Sequence, residues 1–125
     1  EELSALCDEV EELLTSGKNH IKKDIEFHAS IAKYSRNRVV EILLPLIQSA
    51  VSTFANLTQR SLLNETIESH RAIADAMLAR DAVGAKCAMI MHLTHNRRKI
   101  IQLLEEQEET ASNAAQCTSR KKHTI

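Results

Sequence analysis

Ile21-Lys22-Lys23-Asp24-Ile25-Glu26-Phe27-His28 reads as a helix that carries polar cargo on its inner side. Asp24 and His28 are four residues apart, which places them one turn apart on the same helical face. Ile21, Ile25 and Ala32 flank the pair, so that face is otherwise apolar. Two further histidines, His70 and His92, each stand within a helical apolar pattern of their own. A carboxylate and three imidazoles aimed at one core are costly unless something satisfies them. A bound divalent metal would satisfy all four together.

The helical reading extends along the chain in both directions. Leu3, Leu6, Cys7, Val10, Leu13 and Leu14 have helical spacing over residues 2–15, and Gly17 follows where a C-terminal cap belongs. The Asp24 helix covers about 19–34. Asn37 is a good N-cap for a third helix over 38–58. Apolar residues surround that helix from Val39 to Ile47, so it is expected at the centre of a bundle. Pro45 inside it predicts a kink or short break. A fourth helix over 61–79 carries Leu63, Ile67, His70, Ala74 and Met77 on one stripe. Asp81 then caps a fifth over 82–108, with Ala85, Met89, His92, Leu93, Asn96, Ile100 and Leu103 on its stripe. Residues 110–125 are small, polar and aperiodic and read as a mobile tail, leaving 1–109 as the domain.

Composition agrees with an all-α antiparallel bundle of about five helices. The 125 residues make one domain with 43% apolar but only 2% aromatic residues, so Leu, Ile, Val, Ala and Met must build its core. Two glycines and one proline leave little material for hairpins. Short connections predict successive helices packed antiparallel. A formal net charge of −1 makes the domain a poor electrostatic match for nucleic acid. Cys7, Cys87 and Cys117 are odd in number and widely spaced, so free thiols in the cytoplasm are expected, with Cys7 and Cys87 as small core residues. No apolar run approaches the roughly 20 residues of a membrane span, and the acidic start has no signal-peptide pattern.

On a wheel of 100° per residue, Asp24, His28, His70 and His92 fall within buried arcs. His20 at a helix start, His95 off its stripe and His123 in the tail are expected to face solvent. One carboxylate and three imidazoles suit zinc, nickel, iron or manganese better than calcium or magnesium. Other metal and catalytic patterns are missing. No Glu stands three residues before a His, and there is no H-E-x-x-H, no Gly-rich phosphate loop and no nucleophile elbow. Two rival readings remain. One is a metalloenzyme using the same donors, for which Glu26 and Glu68 are badly placed as bases. The other is a structural bundle whose histidines are merely hydrogen-bonded.

Five segments together resemble a known family. They are Asp24-x-x-Phe27-His28, Ser35-Arg36-Asn37, Glu68-Ser69-His70-Arg71-x-Ile73, Asp81 to Ala85, and Met91-His92-Leu93. The pattern, over about residues 3–104, resembles the FCD domain, the C-terminal effector-binding domain of FadR-type regulators in the GntR family of bacterial transcription factors. The resemblance implies a helical bundle, usually a homodimer, with Asp24, His28, His70 and His92 holding a divalent metal. It also implies a small organic acid as effector, with Asn37 at a place where the family often has Asn near the pocket. Asn96, on the inner face one turn beyond His92, is a second candidate effector contact or else bonds a backbone or side-chain partner. Arg60 and Arg71 read as surface residues that could lend positive charge to an anionic ligand. DNA contact would belong to a winged helix-turn-helix domain that this sequence does not contain. A further helix before Leu3, which can supply an arginine to the effector in that family, is also outside it.

Overall fold

The computed structural model describes residues 1–58 and 61–121, with side chains up to 116. Arg60, His123 and the side chain of Cys117 therefore lie outside the described residues. Five helices follow in order: α1 Glu2–Thr15, α2 Ile21–Tyr34, α3 Arg38–Thr58, α4 Leu63–Leu78 and α5 Ala82–Lys121. No strand occurs among the described residues, so the all-α expectation holds.

Local chemistry sets the turns. Ser16 caps the end of α1, and Gly17 adopts φ +76°, a left-handed conformation that costs glycine least. Arg36 and Arg80 adopt φ +50° and +57° after α2 and α4, taking the place that glycine or asparagine more often fills. The Asn37 Oδ1 accepts the Val39 N–H at 3.0 Å at the start of α3, and Asp81 Oδ1 accepts the Gly84 N–H at 2.8 Å at the start of α5.

The helices close into a ring. α1 packs on α2, α2 on α3, α3 on α5, α5 on α4, and α4 returns to α1. Successive helices pack together except α3 and α4, which do not meet among the described residues. Their place is taken by α1 closing on α4. That closure buries Leu3, Leu6 and Cys7 of α1 with Phe27 of α2 and Ile73 and Ala74 of α4. Arg71 of α4 reinforces it, reaching Asp8 at 2.6 Å and Glu11 at 3.3 Å on α1. Lys23 of α2 bridges Glu9 at 2.7 Å and Glu26 at 2.9 Å. Exposed pairs of this kind each contribute only about 0–1 kcal/mol, so the apolar cluster carries the ring. Ile73 is 1% exposed. Ile73→Ala is expected to cost about 3 kcal/mol in urea unfolding followed by circular dichroism.

Several expectations change. α3 is not central: Val39, Ile42 and Leu46 are 64%, 70% and 67% exposed. It runs unbroken through Pro45. It is also long and apolar enough, by length and composition alone, to cross a membrane. The polar residues scattered from Gln48 onward hid this from a search for an uninterrupted apolar run. α5 does not stop near residue 108 but continues to Lys121. The segment expected as an aperiodic tail is thus helical as far as Lys121; Ala111, Ala114, Ala115, Gln116, Arg120 and Lys121 favour helix without any packing stripe. Cys87 is exposed, because it lies on the outer side of α5 beside Val83, Ile90 and Met91, which are also exposed. Cys7 is buried as expected, and burial pushes its thiol up to about 11.

Candidate metal centre

Inside the ring, α2, α4 and α5 turn polar side chains towards one another. α2 supplies Asp24 and His28, α4 supplies His70, and α5 supplies His92. The four come together as the sequence leads one to expect. Asp24 Oδ1 stands 3.3 Å from His70 Nε2 and 3.6 Å from His28 Nε2. One ring nitrogen from each of His28, His70 and His92 lies within 4.8 Å of the others. Donors bound tetrahedrally to one ion at about 2.1 Å stand about 3.4 Å apart. A closure of up to about 1.4 Å at the widest pair would therefore bring the three nitrogens onto one ion.

Packing holds the rings in place. Phe27 stacks on His70 with centroids 4.2 Å apart, and His28 lies over His92 at 5.1 Å. His92 Nδ1 is 2.8 Å from Ser69 Oγ, and its Nε2 is 3.4 Å from the Asn96 side-chain amide.

The cluster is not self-sufficient. Asp24 Oδ1 and both ring nitrogens of His70 are buried without a hydrogen-bond partner. Such groups cost about 1–3 kcal/mol each when left alone. Charging the rings offers no relief. Burial drives His28 down to about 3 and His92 to about 4, with a neighbouring imidazole adding to each shift. Burial and three nearby imidazoles hold His70 well below its usual value. Burial also pushes the Asp24 carboxyl up to about 7. Neutral imidazoles and a carboxylate without a counter-charge are the donor set that a divalent cation takes. On these orphaned atoms, the residues fit a metal ion.

Beside the donors lies a cavity of about 370 Å³. Asp24, His28, His92 and Asn96 line its polar side, while Val40, Ile47, Val51 and Phe54 of α3 form an apolar wall. Thr58 also borders it, but its hydroxyl donates to the Phe54 carbonyl at 2.9 Å. No Arg or Lys lines it among the described residues. Asn96 is thus where an effector contact is expected. Asn37 is not: it is exposed, caps α3 and takes no part in the lining. Arg71 is turned to α1, away from the cavity.

His20 departs from expectation. It is 8% exposed and borders the cavity, because the turn at Gly17 folds the chain back before α2 begins. His95 is half-buried rather than exposed. Ser69 stands in one of the segments that carry the resemblance, but the sequence assigns it no role at the site. It immediately precedes His70 and so falls off that residue's stripe; the available signal was a small hydroxyl one turn before Ile73.

A closed helical ring around a polar donor cluster, opening on an apolar-walled cavity, is the architecture of a ligand-binding module. The chain belongs to the FCD domain family, whose model matches residues 1–95. FCD domains are regulatory parts of transcription factors rather than enzymes, which sets the metalloenzyme reading aside. The chain is also similar to an uncharacterised HTH-type transcriptional regulator, YcbG, of Bacillus subtilis (strain 168). The two are 36% identical over 110 residues, covering 85% of this chain and 46% of that protein. The chain thus spans less than half the length of that relative. No solved structure matches it.

Proposed function

We propose that this chain is the ligand-sensing and dimerisation domain of a cytoplasmic GntR-type, FadR-like transcriptional regulator. Asp24, His28, His70 and His92 hold a divalent metal, with zinc the best match to three imidazoles and one carboxylate. The observation that carries the reading is Asp24 Oδ1, buried and without a hydrogen-bond partner, 3.3 Å from an equally unpartnered His70 Nε2. Bound metal supplies a Lewis-acidic anchor for the carboxylate of a small organic acid. Asn96 reaches the same polar side of the cavity, and the rest of the acid lies against the α3 wall. An effector bridging α2, α5 and α3 alters how these helices pack, and so how attached DNA-binding domains are spaced. DNA contact falls to a helix-turn-helix domain outside this sequence. The exposed apolar residues of α3 and α5 support a homodimer.

The test is calorimetric titration of zinc-loaded protein with small carboxylates, repeated after chelation. Binding is expected in the loaded protein and is expected to disappear with the metal. Carboxylate binding that survives chelation, or a protein that takes up no ion, would sink the proposal.

A further inference from the structure

Ser69 lies against His92, with 2.8 Å between its Oγ and the Nδ1 of the ring. Both residues are buried, at 7% and 4% exposure. The direction of this hydrogen bond can be worked out. The Ser69 hydroxyl donates to the Glu65 carbonyl one turn back, at 2.5 Å, and it has one proton to give. Towards His92 it can only accept, so Nδ1 must carry the ring proton. The far side of the ring agrees. The Asn96 Nδ2 sits 3.4 Å from Nε2, and an amide NH₂ there requires a bare nitrogen opposite it.

We infer that Ser69 is a positioning residue that fixes His92 in the Nδ1–H tautomer, leaving the Nε2 lone pair for the ion. The inference rests on the metal-sensor reading for its consequence and on the hydrogen bonds alone for the tautomer. Two elements cooperate: the α4 turn from Glu65 to Ser69 orients a donor belonging to α5. α4 therefore contributes to the site twice, through His70 directly and through Ser69 at one remove. Partners of this kind typically alter metal affinity by about 10- to 100-fold.

Two measurements test it. Long-range nitrogen–proton correlation spectra of the metal-free wild type should show His92 protonated on Nδ1; protonation on Nε2 overturns the inference. This arm needs no variant, so it stands even if a substitution fails to fold. In zinc titrations against a competing chelator, Ser69→Ala should bind at least about 10-fold more weakly, and Ser69→Thr, which keeps the hydroxyl, should recover most of that loss. Ser69→Ala that folds with unchanged helix content and binds zinc within about twofold of wild type overturns the role of Ser69. Wild-type protein that binds no zinc in the same titration overturns the sensor reading itself, so the two failures can be told apart.

Discussion

Asp24→Asn is expected to weaken zinc binding by roughly 100-fold or more and, in the same protein, to raise the melting temperature of the metal-free form at pH 8. The first effect follows from donor count. A four-donor zinc site binds with about 10–16 kcal/mol, so one donor is worth roughly 3 kcal/mol or about 100-fold. The second follows from burial. Asp24 is 8% exposed, and no cation faces its carboxylate among the described residues. Its carboxyl is pushed up to about 7 from an ordinary 3.8, so at pH 8 the folded protein holds a buried charge that the unfolded chain would solvate. That shift is worth roughly 1–4 kcal/mol against the metal-free fold. Asparagine has nearly the same shape, carries no charge and can donate to His70 Nε2 at the 3.3 Å now spanned by Asp24 Oδ1. Competition titration gives the affinity, and thermal unfolding in excess chelator gives the stability. Zinc affinity within about threefold of wild type would remove Asp24 from the ligand set. A metal-free variant that melts several degrees lower would mean the carboxylate already has a stabilising partner, leaving no unmet need for an ion. Asp24 is a cleaner target than His70, whose ring stacks on Phe27 and is 1% exposed. Truncating that ring would confound metal loss with a cavity in the core.

The donors could be read from the sequence because each occupies an apolar stripe that meets the ring's interior. Helical period alone puts Asp24, His28, His70 and His92 inward, and the caps at Asn37 and Asp81 follow from their own side chains. The sequence said less wherever an outcome depended on what lies beyond one helix. α3 and α5 each have two apolar sides. Periodicity cannot distinguish a side buried in this ring from one left for another surface, so α3 was expected at the centre and Cys87 in the core. His20 is placed by the turn before α2, where the wheel of α2 does not apply. Ser69 acts on a ring borne by another helix, and no spacing within α4 encodes that contact. Asn37 and Asn96 show the same division. Both are polar residues near helical faces, but the local cap claims the first while the cavity receives the second.

The metal-free protein is expected to lose stability as pH falls below about 6.5, and zinc to move its acid unfolding to lower pH. His28 and His92 have folded values of about 3 and 4, and His70 lies well below its usual 6.5. In the unfolded chain all three regain ordinary imidazole behaviour and take up protons below about pH 6.5. Their contribution is therefore fully present above that value and is lost on acidification. Asp24 has the opposite sign. Its folded value near 7 exceeds the unfolded 3.8, so between these the folded state holds a proton that the unfolded chain releases. Three histidines against one carboxyl leave the unfolded state about two protons ahead between roughly pH 6 and 4, a slope of ~2–3 kcal/mol per pH unit. With a total stability of about 5–15 kcal/mol, such a slope unfolds the domain within a few pH units. Bound zinc occupies the lone pairs that those protons seek, so unfolding by acid must also displace the ion. Helix content followed by circular dichroism across pH 8–3, with chelator and with zinc, measures both curves. Stability that rises as the metal-free protein is taken from pH 7 to pH 5 would show the histidines to be solvated and Asp24 alone to govern the titration. Curves that superimpose with and without zinc would mean that the ion does not bind the buried cluster.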